Sequence, residues 1–210
     1  MKIGVAITTH QRPGLLARML PHWANHLHGV SVLTVIHDED GDGVARSKNR
    51  SIAALMDAGC DHLFLADDDI HPLVNDWWKP YVDSPERALC HCWGKSRFVA
   101  EDDAHSVWNW PRGVLLYAER RVIDRVGGMR VEFGRWGGEH AEWSKRIHAA
   151  GLTTHPFMDV REAKNGLWHC LDYTRQTPST IGEAEKRAGA ARRKELYDRF
   201  RGDDSFVDYR

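Results

Sequence analysis

Apolar and polar positions follow two alternating periods along the first half of the chain. Ile3 to Thr8 is a short apolar run of strand character, and Pro13 to His26 then carries Leu15, Leu16, Met19, Leu20 and Trp23 at helical spacing. Val30 to His37, "VSVLTVIH", is a β-branched run that predicts a strand buried on both faces. Ala45 to Ala58 places Ile52, Leu55 and Met56 on one helical stripe and stops at Gly59, and His62 to Ala66 predicts a third strand. Strand and helix in alternation predict parallel strands with helices on the faces. The second half is less regular. Ala88 to Trp93 and Gly113 to Ala118 read as strands around the polar, tryptophan-bearing stretch Glu101 to Arg112. Helices are predicted over Glu119 to Val126, Gly138 to Ala150 and Ile181 to Phe200, the second with Trp143, Ile147 and Ala150 on its stripe.

Ligands of open α/β sheets collect at the carboxyl ends of the strands. Here those ends are polar: Thr8-Thr9-His10-Gln11-Arg12, Asp38-Glu39-Asp40 and Asp67-Asp68-Asp69. The last cluster repels itself and calls for a cation. Carboxylates at a strand end bind Mg²⁺ or Mn²⁺, with phosphate oxygens and water completing the shell. Alternation along the chain turns Asp67 and Asp69 the same way and Asp68 back toward the scaffold. An acidic loop capping the next helix would use the same residues.

Further candidates are weaker one by one. In "WGGEH", Trp136 to His140, two glycines place Glu139 at a helix start, where the dipole favours a carboxylate; a plain glycine turn would read alike. Asp38 can bond a base N–H or a ribose hydroxyl, or merely solvate its loop. Arg46, Lys48 and Arg50 flank Asn49 at the start of the second helix and can neutralise a diphosphate, with at least one facing solvent. His169 in "LWHC" can offer a neutral imidazole to a metal, although a lone histidine is more often a non-ligand.

Composition narrows the classes. With 42% hydrophobic and 28% charged residues and a formal net charge of −1, the chain has no global electrostatic attraction to nucleic acid or membrane. No apolar run approaches membrane-spanning length, and the start of the chain lacks signal-peptide features. Cys60, Cys90, Cys92 and Cys170 make no disulfide framework, so a cytoplasmic location is expected. The spacing of Cys90-His91-Cys92 is wrong for structural zinc, and neither common glycine-rich phosphate loop is present. Of the nine tryptophans only Trp23 precedes the acidic triplet, so the others are candidates for an aromatic wall beside the site. A length of 210 residues predicts one domain: a nucleotide-binding half over 1–72, an acceptor-binding and catalytic half over 73–170, and a helical tail over 171–210.

Taken in order, these pieces resemble the nucleotide-sugar glycosyltransferases of the GT-A fold, particularly the large family-two-like group. "AITTHQRP" is similar to their first strand and base-contacting loop, and "VIHDEDGDGVARSKNRSIA" to the second strand, its acid and the following helix. "FLADDDIHP" resembles the DxD metal motif. "GVLLYAERRVIDRVGGM" and "FGRWGGEHAEWSKRIHAAG" resemble the acceptor-side strand and the Gly-Gly-Glu helix, so the match covers Lys2 to Gly151. The resemblance implies a single-domain, Rossmann-like α/β/α sandwich with a mixed, mostly parallel sheet. It implies transfer of a sugar from a nucleoside-diphosphate donor, a UDP-sugar foremost, to a soluble acceptor: a protein, a glycan or a modified nucleic-acid base. Thr8, Arg12 and Asp38 would hold the nucleotide, with Arg46, Asn49 and Asp68 completing the donor contacts. Asp67 and Asp69 would hold Mn²⁺ or Mg²⁺, with His169 as a further ligand, and Glu139 would bind a hydroxyl. His140 stands where inverting members commonly carry the aspartate base, and a histidine can take the acceptor proton. "GGEHAE" also resembles the Gly-Gly-Glu-Asn-x-Glu form of some retaining members, with Glu142 last, so both stereochemical outcomes stay open. Competing readings are nucleotidyl transfer on a related fold and a non-catalytic carbohydrate-binding module. Candidate acceptor surfaces are Asp102 to Arg112 and the last helix, where Glu183 to Arg201 holds seven Lys/Arg against four Asp/Glu.

Overall fold

The computed structural model describes residues 1–92, 96–171 and 181–210. Its elements begin with β1 (Ile3–Thr9), α1 (Pro13–Ala24), β2 (Val32–His37), α2 (Val44–Asp57), β3 (His62–Asp67), β4 (Ile70–Pro72), α3 (Lys79–Val82) and β5 (Ala88–Cys90). They continue through β6 (Phe98–Glu101), β7 (His105–Trp108), β8 (Leu115–Glu119), α4 (Arg120–Val126), α5 (Glu139–Ala149), β9 (Met158–Val160), β10 (Trp168–Cys170) and α6 (Glu183–Arg199). The predicted Trp93 end of a strand, and the part of the predicted tail over 172–180, lie outside the described residues.

Every residue of β1 is buried, and β1 accordingly pairs in parallel on both sides, with β2 and with β3. β8 runs antiparallel to β3 and β5, giving the order β2-β1-β3-β8-β5. Four strands thus share one direction and one opposes them, the mixed, mostly parallel sheet that was expected. The period of two along β3 divides the core. Leu63 and Leu65 pack with Ile52, Leu55, Val122, Trp143 and Ile147 of α2, α4 and α5. Phe64 and Ala66 pack on the opposite face with Leu16, Trp23, Trp77 and Trp168. Each such large apolar side chain contributes about 1.5–3 kcal/mol on full burial.

Three expectations change. β2 is an edge strand and only half-buried, because β1 takes the centre; it is not covered on both faces. The stretch Glu101 to Arg112 contains β7, which joins β6 and β9 in a small antiparallel sheet. Most tryptophans are core rather than wall: Trp23, Trp77 and Trp168 make edge or tilted contacts within 6.0 Å of one another, and their indole N–H groups are bonded inside the protein.

The chain returns after α6 to lock the base of α5. Val207 bridges Gly127, and its N–H donates to Val126 O at 3.0 Å. The buried Arg146 of α5 donates to the carbonyls of Val126 and Gly128, to Ser205 O at 3.4 Å and to Glu142 at 3.0 Å. No helix among the described residues is long and apolar enough to cross a membrane.

Candidate active site

The parallel register sets Thr8 of β1 against Asp67 of β3. Thr8 Oγ1 lies 3.2 Å from Asp67 Oδ1 and 3.1 Å from Ala66 O. The fully buried Lys48 reaches from α2 to place Nζ 2.7 Å from the same Asp67 oxygen. Past Asp67 the chain turns, and simple alternation ends. Asp68 is completely buried: Thr9 Oγ1 donates to its Oδ2 at 2.5 Å, and Arg12 pairs with its other oxygen. Arg12 also lies 3.8 Å from Asp69 Oδ2, while the buried Asp69 Oδ1 has no hydrogen-bond partner. Burial, then the neighbouring Asp67 charge, raise the Asp69 pKa to about 6 against the opposing pull of Arg12. Burial also raises Asp68.

From β2, Asp38 accepts the N–H groups of Asp42 and Gly43 at 2.9 and 3.1 Å and pairs with Arg50 at 3.1 Å. It therefore shapes the β2–α2 loop while standing in the wall of the cleft.

On the facing side, Glu139 opens α5. Its Oε2 accepts the Gly137 N–H at 3.0 Å, and its Oε1 lies 3.0 Å from His140 Nδ1. Burial pushes the Glu139 pKa upward, but the His140 bond and charge and the backbone N–H donors outweigh it, so the net shift is downward. An ionised carboxylate at Nδ1 fixes the proton there and leaves the lone pair on Nε2. That Nε2 is buried without a partner. The ring fits because residue 113 is glycine: at φ +75° a Cβ would sit 2.7 Å from the imidazole. Behind, α6 grips the same loop. Tyr197 donates its hydroxyl to Gly138 O at 2.9 Å, Arg192 donates to Phe133 O at 3.0 Å, and a Cβ on Gly189 would meet Trp136 O at 2.6 Å.

Thr8, Arg12, Asp38, Asp67, Glu139 and His140 line one cleft of about 210 Å³. Other predicted residues stand apart from it, Asp69 among them, which is buried and off the lining. Arg46 is exposed and off the lining. Asn49 spends its amide on Met129, donating to its carbonyl at 2.9 Å and accepting its N–H at 2.7 Å, so it ties α2 to the α4–α5 connection instead of a nucleotide. Asp68 lies behind the wall, held by Thr9 and Arg12. His169 is exposed on β10 beside His71, with ring centroids 5.0 Å apart, and does not join the carboxylates. Among the described residues no three His, Cys, Asp or Glu side chains gather closely enough to hold a metal by themselves. Asp67 in the cleft and the unpartnered oxygen of Asp69 are the donors a divalent cation would find, and one or two carboxylates suffice for Mg²⁺ or Mn²⁺ when phosphate oxygens and water supply the rest. Ser47, Arg112 and Arg135 also line the cleft. Each lies within a stretch singled out in the sequence, but none was marked there as a site residue.

No family model matches the sequence, and no curated protein matches it. Solved structures do. The catalytic domain of Drosophila β1,4-galactosyltransferase 7, as a mutant complexed with manganese, UDP-Gal and xylobiose, matches 90% of this chain and 79% of its own at 21% identity and a TM-score of 0.61. GalNAc-T7 with UDP, GalNAc and Mn²⁺ matches 76% of this chain and 42% of its own, at 15% identity and a TM-score of 0.57. A mannosyltransferase from Pyrobaculum calidifontis, with GDP-Man and Mn²⁺, matches 72% and 53%, at 14% identity and a TM-score of 0.53. The likeness establishes the fold: this chain has the GT-A fold of nucleotide-sugar glycosyltransferases.

Proposed function

We propose that this protein is a metal-dependent glycosyltransferase that moves a sugar from a nucleoside-diphosphate donor, UDP-linked foremost, to a hydroxyl group of a soluble acceptor. One observation carries the reading: Asp67 lines one wall of the cleft, with the unpartnered oxygen of Asp69 two residues on, and His140, whose buried Nε2 has no partner, lines the other. The neighbours of the same fold, crystallised with UDP-Gal, UDP or GDP-Man and manganese, support it.

In this reading residues 1–72 supply the donor wall. Thr8, Ser47 and Asp38 border the nucleotide, and Asp67 and Asp69 would hold Mn²⁺ or Mg²⁺. A cation held there would supply positive charge for the leaving diphosphate. Lys48 fixes the Asp67 carboxylate, and Arg12 neutralises Asp68 so that the remaining negative charge faces the cation. Residues 73–170 supply the acceptor wall. His140 Nε2 takes the proton of the acceptor hydroxyl as its oxygen attacks the anomeric carbon and the sugar–phosphate bond breaks. Glu139 holds the required tautomer and stabilises the imidazolium that forms, as a carboxylate does behind any histidine base. A single displacement with one base inverts the anomeric configuration.

Thermal stability with UDP, GDP, ADP and CMP, each with and without Mn²⁺, tests the donor site in wild type and Asp69→Ala. A specific ligand at a hundredfold excess over its dissociation constant adds about 2.7 kcal/mol. The expected result is a gain that needs both one nucleotide and the metal and disappears in the variant. A flat response to every nucleotide would overturn the proposal.

A further inference from the structure

A second cavity, bordered by described residues, lies outside the cleft. It is a groove of about 460 Å³ between α5 and the end of α6, more than twice the volume of the proposed active site. Lys145 and Arg146 of α5 border it, facing Lys194 and Tyr197 of α6 and Arg201 just beyond. Its carboxylates are already committed. Glu142 is held by Arg130 at 3.1 Å and Arg146 at 3.0 Å, Asp203 by Arg130 at 2.6 Å, and Asp198 by Arg201 at 2.6 Å. Four cations thus line the groove against three carboxylates, with Arg130 pairing two of these from behind. Lys145 and Lys194 have no carboxylate partner among the described residues. Lys145 Nζ rests 4.2 Å from the centre of the Tyr197 ring. Lys145 is exposed, and desolvation, then the Arg201 charge, hold its pKa below the usual lysine value.

Tyr197 joins this groove to the cleft. Its ring lines the groove, and its hydroxyl reaches Gly138, the residue before Glu139. One turn earlier, Arg193 lies 5.4 Å over the ring of Trp110, which itself packs against Tyr197. Arg193 and Tyr197 stand four residues apart on one face of α6, and Arg201 follows just past the helix end.

We propose that the α5–α6 groove is an oxyanion subsite that binds a phosphate group of the acceptor beside Lys145 and Lys194, so that the enzyme selects phosphate-bearing acceptors. This rests on the glycosyl-transfer reading, and its test separates the two. Inorganic phosphate is titrated calorimetrically at low ionic strength, with and without UDP and Mg²⁺. The proteins are wild type, the double variant Lys145→Ala with Lys194→Ala, and the charge-preserving double variant Lys145→Arg with Lys194→Arg. Wild type should bind one phosphate saturably whether or not the donor site is filled. The alanine pair should weaken it about tenfold or more, as loss of charge-assisted bonds does, and the arginine pair should retain it. UDP with Mg²⁺ should bind all three alike. Unchanged phosphate affinity in the alanine pair, or no saturable phosphate binding in wild type, overturns the subsite. Failure of the donor reading would show instead as missing UDP binding in wild type, and would leave the phosphate titration readable.

Discussion

At the end of β3 three carboxylates share two cations, Lys48 and Arg12, and one buried oxygen of Asp69 has no hydrogen bond. At the start of α5 Glu139 has a partner on each oxygen, and the unmet group is the neutral lone pair of His140. Burial acts on both regions, yet it lifts Asp69 to about 6 and leaves Glu139 below its ordinary value, because only Glu139 has enough donors to offset the lost hydration. The first wall is therefore left short of partners, whereas the second is finished in advance. On the proposed function, a cation at the donor side gains the interaction the protein itself withholds, and a base on the acceptor side holds its geometry before the hydroxyl arrives.

The sharpest way to break this contrast is Asp69→Asn. Transfer activity should fall on the order of a thousandfold, as when an electrostatic stabiliser of the transition state is removed, while the metal-free protein becomes more stable at pH 7. The sign follows from the raised pKa. The folded state holds the Asp69 proton up to about pH 6, the unfolded state only to about 4, so this group lowers stability as pH rises through that window. The difference amounts to about 2–3 kcal/mol. Urea denaturation of both proteins from pH 4 to 7 measures it; equal slopes would mean that Asp69 is not strained. Next in size, His140→Ala should cut kcat on the order of a hundredfold with UDP affinity unchanged, read by single-turnover kinetics and calorimetry. A loss confined to UDP affinity would remove His140 from the role of base. The smallest effect belongs to Tyr197→Phe, which leaves Gly138 O without its donor and should cost about 1 kcal/mol in stability by denaturation.

Much of this contrast was written in the sequence, but unevenly. The helical stripe of α5 and the glycines before it fixed where Glu139 would stand, because a helix start is a local matter. Asp67 was legible as the end of an apolar strand. Alternation turned Asp68 back into the scaffold, where Thr9 and Arg12 hold it, but it did not show that Asp69 is buried off the cleft lining, since the turn after Asp67 cancels the period of two. Asn49 reads like a ligand-binding polar residue among cations, and its true partner, Met129, lies 80 residues away. Local spacing carries no trace of such a pairing. Likewise β2 has the composition of a central strand, and only the sheet order makes it an edge. Arg112 and Arg135 enter the cleft from loops whose course depends on the whole packing.

The return of residues 203–207 beneath α5 gives the site a history as well as a shape. During vectorial synthesis the Asp67–Asp69 turn can be set as soon as β3 has paired with β1 and β8, long before residues 203–207 emerge. The last braces of α5 wait for that segment, since Ser205 O joins the carbonyls around the Arg146 guanidinium and Val207 bonds to Val126. On the proposed function, a newborn chain acquires its place for the nucleotide before the helix that carries its base is fully braced.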